Sequence, residues 1–118
     1  MYFFFQNINS NQILRFYKNA IFYIFSSYCE VFGLTSLEAM KNNCPVMISR
    51  SSALPEVNGK ASLYFNPNHS KDIKFKMNRL ILSSKLRKSL VNKGKKQVKN
   101  YKWSQSLKHI FRIIDLKI

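Results

Sequence analysis

A short apolar run, a glycine turn and the start of a helix constrain the fold of this chain more than any other stretch. Residues 20–25 are apolar and rich in β-prone side chains, which predicts a buried parallel strand. Phe32-Gly33-Leu34 predicts a turn, and Leu37, Ala39 and Met40 predict a following helix. This order is typical of an open α/β sheet, in which ligands bind beyond the carboxyl ends of the strands.

Two glutamates lie on either side of this turn, Glu30 before it and Glu38 after it. The free N–H groups at the start of a helix favour anions, so the two carboxylates are predicted to flank a phosphate site. The sequence from Thr35 to Glu38 also matches a capping box, in which these two residues bond each other's backbone N–H groups and no ligand is needed. Both interpretations stay open at this point.

The elements around this stretch follow from apolar spacing and from capping residues. The apolar residues 2–5 predict a strand that begins the chain abruptly, as a fragment would. Ser10 and Asn11 are predicted to cap a helix that runs to about Asn19. The central helix is expected to begin near Thr35 and to end near residues 42–43, where an asparagine can adopt the left-handed conformation.

Further strands are predicted at residues 45–48 and 61–65. Between them, residues 51–57 predict a turn with one helical turn, closed by Gly59. Strands that alternate with helices at these spacings predict an α/β fold with a right-handed parallel sheet flanked by helices.

Residues 70–118 have a purely helical pattern. Apolar residues at helical spacing predict three amphipathic helices that close the domain: Ile73, Met77, Leu80 and Ile81; Leu86, Leu90, Val91 and Val98; and Trp103, Leu107, Ile110, Phe111 and Ile114. Gly94 is expected to kink or break the second helix, because glycine costs about 1 kcal/mol relative to alanine inside a helix. Ser84 and Ser104 are predicted caps. Residues 1–118 are thus expected to form one domain, alternating over residues 1–69 and helical over residues 70–118.

Composition narrows the class of protein. The chain has 118 residues, 46% of them hydrophobic, and can bury the core of one compact domain. Its net charge of +15 would ordinarily suggest nucleic acid or an anionic membrane, but the basic residues are spread along the chain, so no specific nucleic-acid partner is expected. Cys29 and Cys44 lack zinc-site spacing and are expected to be reduced, buried thiols of a cytoplasmic protein. Neither a signal peptide nor a membrane span is predicted.

A succession of short motifs adds a family to this interpretation. They are YCEVFGLTSLEAM at residues 28–40, CPV at 44–46, LPEV at 54–57, GKA at 59–61, FNP at 65–67 and YKWS at 101–104. Each motif is weak alone, but their common order and spacing are specific. The succession resembles the C-terminal half of group 1 (family 4) glycosyltransferases over nearly the whole chain from Ser10.

The resemblance implies a GT-B fold, in which the Rossmann-like C-terminal domain holds a nucleotide-sugar and the N-terminal domain holds the acceptor. It also implies that the sugar is transferred with retention of anomeric configuration and without a metal or other cofactor. No DxD metal motif is present.

The same resemblance assigns roles to the residues of the central stretch. Glu30 is the expected catalytic residue and would accept hydrogen bonds from hydroxyls of the donor sugar, while Glu38 would bind both ribose hydroxyls. A carboxylate suits a vicinal diol because each of its oxygens can accept one O–H. Backbone N–H groups are expected to bind the sugar and the diphosphate, from Phe32, Gly33, Leu34 and Thr35.

The expected partners are a nucleotide-sugar and an acceptor domain in a separate chain. The lysines of residues 93–102 are most simply a solvated helix face, and they could also add peripheral contact with the inner face of a membrane. Two departures from the family matter: Val31 replaces a small residue and would narrow the sugar pocket, and nothing before Phe16 matches the family's diphosphate-binding Arg and Lys. The alternatives are a non-catalytic basic module that binds anionic lipid or nucleic acid, and an inactive truncated remnant.

Overall fold

A computed structural model describes residues 3–115, with the backbone alone described at residue 115. In chain order the elements are α1 (Ser10–Asn19), β1 (Tyr23–Phe25), α2 (Leu34–Lys41), β2 (Val46–Ser49), α3 (Leu54–Asn58), β3 (Ser62–Phe65), α4 (Ser70–Leu82), α5 (Ser84–Gln97) and α6 (Trp103–Asp115). Short 3-10 turns occupy Gly59–Ala61 and Val98–Asn100.

The three strands form one parallel sheet in the order β1-β2-β3. Side chains alternate between its faces, and β2 is buried along its whole length. One face carries Val46 and Ile48 and packs against α1, α2 and α3; the other carries Met47 and packs against α4 and α5. The predicted parallel α/β sheet flanked by helices is therefore confirmed.

The first predicted strand is wrong. Residue 2 lies outside the described residues, and residues 3–5 form no strand and expose all three phenylalanine side chains. Among the described residues β1 is an edge strand of the sheet, and residues 3–5 do not pair with its free side. β1 is also shorter than the predicted strand at residues 20–25, because the backbone pairing begins at Tyr23, whose N–H donates to the Pro45 carbonyl.

Helix caps differ from the predicted ones by a residue. Asn9 and Gln12 form the capping box of α1, and Ser83, one residue before the predicted Ser84, caps α5. Ser104 lies inside α6, so it caps nothing. The predicted left-handed asparagine is present: Asn43 has φ +60° just after α2.

Gly94 does not break α5. The helix continues through it, and a β-carbon at Gly94 would lie 3.2 Å from Cβ of Met40 in α2. The absence of a side chain therefore lets two helices approach closely, a tertiary requirement that outweighs the low helix propensity of glycine.

The third predicted amphipathic helix forms but does not close the domain. Every described side chain of α6 is exposed, including the predicted apolar face with Trp103 and Phe111. Its apolar spacing specifies a helix with one apolar face, and spacing alone does not say what that face covers. Within residues 3–115, no helix is long and apolar enough to cross a membrane.

Candidate functional site

The loops at the carboxyl ends of the three strands form the candidate site. Residues 26–33 connect β1 to α2, residues 50–53 connect β2 to α3, and residues 66–69 connect β3 to α4. Because the strands are parallel and adjacent, these loops lie at the same edge of the sheet. α2 begins at this edge, so its first backbone N–H groups lie there too.

Hydrogen bonds fasten the first of these loops to its neighbours. The backbone carbonyl of Ser27 accepts from the hydroxyls of Ser49 and Ser51, with the Ser51 oxygen 2.7 Å away. On the other side, the Tyr28 hydroxyl donates to the Pro67 carbonyl at 3.0 Å. Segments that are distant in sequence thus hold residues 26–33 in place.

Gly33 has a left-handed backbone, with φ +78° and ψ +47°, and is the N-cap of α2. Its carbonyl accepts from the backbone N–H and the hydroxyl of Ser36 at 3.0 and 2.8 Å. A β-carbon at this position would lie 2.6 Å from Cδ2 of the buried Leu54 and 3.6 Å from Cγ of Glu30. The structure thus requires glycine here for the protein's own packing, apart from any ligand.

Glu30 lies beside this turn and is half-buried. Its Oε1 atom accepts a hydrogen bond of 3.1 Å from the backbone N–H of Val31. A carboxylate has about four acceptor positions, so this bond orients Glu30 and leaves most of its acceptor capacity free. The Val31 side chain is 88% exposed and points into solvent.

Glu38 lies on α2 one turn beyond Thr35, and its side chain is exposed. The capping box predicted between these two residues is wrong. α2 begins at Leu34 with Gly33 as its N-cap, so Thr35 is inside the first turn and cannot cap it. The Thr35 hydroxyl oxygen instead accepts a hydrogen bond of 3.1 Å from the Tyr23 hydroxyl.

Two tyrosines lie beneath the first turn of α2. The rings of Tyr17 and Tyr23 meet edge to face with centroids 5.4 Å apart, and the Tyr17 hydroxyl lies 3.4 Å from the Thr35 carbonyl oxygen. Burial, with the nearby Tyr23 and Glu38, raises the pKa of Tyr17 to about 12. Burial also raises the pKa of Tyr23, although its bond to Thr35 acts in the opposite direction.

Phe32 and Leu34 lie at the rim of the site. The Phe32 ring is partly exposed and meets the ring of Tyr101 edge to face at 5.5 Å, and the side chain of Leu34 is exposed. Tyr101 follows α5 and its 3-10 turn, so the helical tail reaches the site through this contact. The predicted site residues thus lie along one continuous segment, from Glu30 to Glu38.

The two cysteines differ in environment. Cys44 is buried, and burial raises the pKa of its thiol to about 11. Cys29, next to Glu30, is exposed, so the prediction that both thiols are buried is wrong for it. Among the described residues, no three His, Cys, Asp or Glu side chains are grouped so that they could hold a metal ion. The expected metal independence stays a prediction.

Family comparison decides the class of protein. The family model described as "Glycosyl transferases group 1" matches residues 1–97. The chain belongs to the group 1 glycosyltransferases. This confirms the family indicated by the succession of motifs in the sequence.

Curated relatives of this glycosyltransferase domain are longer proteins. The O-antigen chain mannosyltransferase B of Escherichia coli is 33% identical over 87 residues, which is 74% of this chain and 23% of the relative. An uncharacterised glycosyltransferase of Methanocaldococcus jannaschii is 27% identical over 107 residues, 89% of this chain and 30% of the relative. The chain therefore spans less than a third of the length of these relatives.

Solved structures agree with the fold. The C-terminal domain of a group 1 family glycosyl transferase from Francisella tularensis is 31% identical with a TM-score of 0.70, over 83% of this chain and 51% of that one. Sucrose-phosphate synthase from Thermosynechococcus elongatus has a TM-score of 0.82 at 20% identity, over 94% of this chain and 29% of that one, and at this identity it shows the fold alone. The fold is that of the C-terminal half of a GT-B glycosyltransferase.

Sequence reasoning missed the residues that support the site of this glycosyltransferase domain. Tyr17 was assigned only to the apolar face of α1, and neither Tyr23 nor Tyr101 was connected with the site. A buried tyrosine needs a partner for its hydroxyl, so a tyrosine on a buried helix face is itself a signal of a nearby polar group. The identity of that group depends on the tertiary fold.

Proposed function

We propose that this domain binds the nucleotide-sugar donor of a retaining, metal-independent glycosyl transfer. The observation that carries the proposal is the Gly33 turn at the carboxyl edge of the sheet. It brings the half-buried Glu30 beside the start of α2 and leaves Glu38 exposed one turn further along. A carboxylate lies on each side of unpaired helix N–H groups, an arrangement that suits a sugar, a diphosphate and a ribose.

The roles follow from the chemistry of these groups. The first N–H groups of α2 have no acceptor within the helix, so those of Leu34 and Thr35, with those of Phe32 and Gly33, would bind diphosphate oxygens. Glu30 would accept from hydroxyls of the sugar, and its negative charge would stabilise the positive charge that develops on the ring as the anomeric carbon separates from the diphosphate. Glu38 would accept from the two ribose hydroxyls.

Calorimetry on two glutamate variants tests this assignment. Glu38→Ala should weaken binding of UDP, GDP or ADP, whichever the wild type binds, by roughly tenfold to a hundredfold, as expected for loss of hydrogen bonds to a charged group. Glu30→Ala should leave binding of the bare nucleotide unchanged and reduce the preference for the nucleotide-sugar. Glu56→Ala, which removes an exposed carboxylate of α3, is the matched control. Equal losses for both ligands in both site variants would contradict the assignment.

We also propose peripheral contact with an anionic membrane as a second property. The lysines of residues 93–102 are all exposed, and α6 beyond them exposes an apolar face. Basic residues close to an apolar helix face are the combination that favours the surface of an anionic bilayer.

The alternative function, a polyanion-binding module without a donor site, predicts that salt alone removes the bound ligand and that nucleotides at modest concentration do not compete.

A further inference from the structure

A cavity opens at the amino-terminal edge of the sheet, on the opposite edge from the candidate site. Its volume of about 580 Å³ lies in the range of small-molecule sites. The segments that lead into β1 and β2 form one wall, which includes Ile21 and Pro45, and α5 forms the other. The first two strands are three and four residues long, so this cavity is separated from the candidate site by roughly 10 Å or more.

One face of α5 lines this cavity. Its residues recur at intervals of three and four positions, which places their side chains together along the helix. They are Ser84, Arg87, Lys88, Val91 and Asn92. Two of them carry a positive charge, and among the described residues no acidic side chain lines the cavity. The cavity therefore has two cations and no carboxylate to neutralise them.

Arg87 is half-buried, and contacts with α4 fix its orientation. Its Nη1 atom donates to the backbone carbonyls of Leu80 and Ile81, at 2.8 Å for Ile81. A guanidinium has five N–H groups in a planar fork, so these bonds use both protons of Nη1 and leave the edge formed by Nε and Nη2. Within residues 3–115 this edge has no hydrogen-bond partner and Arg87 has no ion pair. Unpaired surface lysines are expected in a chain with 20 basic and five acidic residues, so this half-buried arginine carries the argument.

Further donors lie beside the two cations. The Ser84 hydroxyl and the side-chain amides of Asn43 and Asn92 line the same cavity, and in the described part of the chain these side chains have no hydrogen-bond partner. α5 also begins here, with the Ser83 hydroxyl accepting from the backbone N–H of Leu86 at 3.1 Å. The earlier N–H groups of the helix have no acceptor within it, so they add to the positive potential.

We propose that this cavity binds a phosphate ester, with Arg87 and Lys88 on the phosphate group. A phosphate monoester carries nearly two negative charges and three strong acceptor oxygens, which match two cations and the donors beside them. The apolar part of the lining, with Ile21, Pro45 and Val91, favours an organic ester over inorganic phosphate. Soluble phosphorylated metabolites and lipids with a phosphomonoester headgroup share this chemistry. The inference is independent of the donor site.

Calorimetry on the full chain at 0.15 M salt tests the proposal, with glycerol 3-phosphate and inorganic phosphate as probes. Glycerol 3-phosphate should bind more tightly, and Lys88→Glu should weaken its binding by roughly tenfold or more, because a donor is replaced by a like charge. Lys93→Glu is the matched control, since Lys93 is exposed on the opposite side of α5 and the change in net charge is the same. It should weaken binding by less than about twofold, because salt screens charges beyond about 8 Å. Equal weakening by the two substitutions would show a general attraction to a basic chain and would overturn the proposal.

Arg87→Lys tests the role of the guanidinium fork. The variant keeps the charge and loses the paired N–H groups, so glycerol 3-phosphate should bind roughly tenfold more weakly. Thermal unfolding of this variant is measured alongside, because Arg87 also bonds the end of α4. In the wild type, the backbone amide NMR signals of Ser84 and Lys88 should shift during the titration, and Glu38→Ala should leave the affinity unchanged. Shifts confined to residues 30–38 would overturn the proposal.

Vesicles distinguish the two sources of the ligand. Sedimentation is compared between vesicles of phosphatidylcholine with phosphatidic acid, whose headgroup is glycerol 3-phosphate, and vesicles with phosphatidylglycerol at equal surface charge. A lipid ligand predicts a preference for phosphatidic acid that Lys88→Glu abolishes, whereas a soluble ligand predicts no such preference and binding of glycerol 3-phosphate in solution alone. If neither the soluble ester nor phosphatidic acid binds in a manner that depends on Lys88, the cavity is not a phosphate ester site.

Discussion

At Gly33 the backbone φ of +78° and the nearby Leu54 act in the same direction: each excludes a side chain. Gly33→Ala should destabilise the protein by at least about 1–2 kcal/mol from the left-handed conformation alone, and by more because Leu54 Cδ2 is in the way. The free energy of unfolding in urea measures this. In a Leu54→Ala background the same substitution should cost less, and an identical cost in both backgrounds would mean that the Leu54 contact contributes nothing.

Single residues also make the free energy of unfolding depend on pH. Burial raises the pKa of Cys44 to about 11 and that of Tyr17 to about 12. In the unfolded chain both groups ionise at lower pH, so the stability that they contribute is complete below about pH 9 and is lost as pH rises through their folded pKa values. Together they should lower the free energy of unfolding by roughly 2–3 kcal/mol between pH 8 and 10.5.

Urea unfolding under reducing conditions at these two pH values measures the effect. Deprotonation of lysines also relieves repulsion in a chain with a net charge of +15, so the useful quantity is the difference between variants. Cys44→Ala and Tyr17→Phe should each lose part of the alkaline destabilisation. If neither variant alters the pH dependence, the two buried groups are not its source.

At the scale of single residues, the sequence predicted only those site residues that lie close together along the chain. Glu30, Gly33 and Glu38 were recognised because they lie within nine positions of one another, and local spacing is visible in a sequence. Tyr17 and Tyr23 were not recognised, since their hydroxyls reach Thr35 from 18 and 12 positions away. Only the packing of α1 and β1 against α2 creates that contact. The ligand roles of the predicted residues stay predictions.

Among the elements, α5 shows how helix propensity can mislead. Gly94→Ala improves intrinsic helix propensity by about 1 kcal/mol, but the new methyl group would meet Cβ of the buried Met40 at 3.2 Å. The protein should therefore be destabilised by about 1 kcal/mol or more in thermal or urea unfolding. Asn92→Ala, at an exposed position of the same helix, should leave stability unchanged or raise it slightly. Stabilisation by Gly94→Ala would show that α2 and α5 can separate at little cost.

The basic segment before α6 makes a prediction about membranes. Replacing Lys95, Lys96 and Lys99 by glutamate should abolish sedimentation with vesicles rich in anionic lipid, since each lysine near such a surface contributes about 1 kcal/mol before screening. The same three Lys→Glu substitutions at exposed positions elsewhere, Lys71, Lys74 and Lys85, are the control and should reduce binding less. Equal binding of the wild type to neutral and anionic vesicles, or none to either, would rule out this contact.

Elements were predictable where their signals are local. Helical spacing and capping residues predicted α1, α2 and α5 to within a residue or two, because these signals act within one or two turns. The errors at residues 2–5 and at α6 concern tertiary contacts, which local sequence signals do not determine. An apolar segment forms a strand only where another strand pairs with it, and an amphipathic helix is buried only where another surface covers it.

For the whole molecule, the exposure of the candidate site to water matters most. Val31, Leu34 and Tyr28 around the candidate site are all exposed, so water reaches the groups that would bind the donor. Exposure to water weakens each electrostatic contact, and no acceptor is held at reacting distance by these residues. Positioning of two reactants can contribute roughly 7–11 kcal/mol of a barrier. The 118-residue chain alone should therefore bind nucleotide weakly and transfer no detectable sugar.

Incubation of the purified chain with radiolabelled UDP-sugars and GDP-sugars and a mixed pool of lipid and oligosaccharide acceptors checks this expectation. Turnover that Glu30→Ala abolishes would show that the 118 residues are sufficient. Turnover that appears only after addition of a separately expressed acceptor domain would support an enzyme assembled from two chains.

The unequal burial of the two thiols gives an experimental handle without any substitution. A maleimide fluorophore should attach to Cys29 and spare Cys44, since the thiolate is the reactive form and burial suppresses both access and ionisation at Cys44. The dye would then be located one residue from Glu30, on a loop fastened on both sides. Its emission would report occupancy of the neighbouring candidate site, and the natural sequence would serve as its own biosensor for ligand screening.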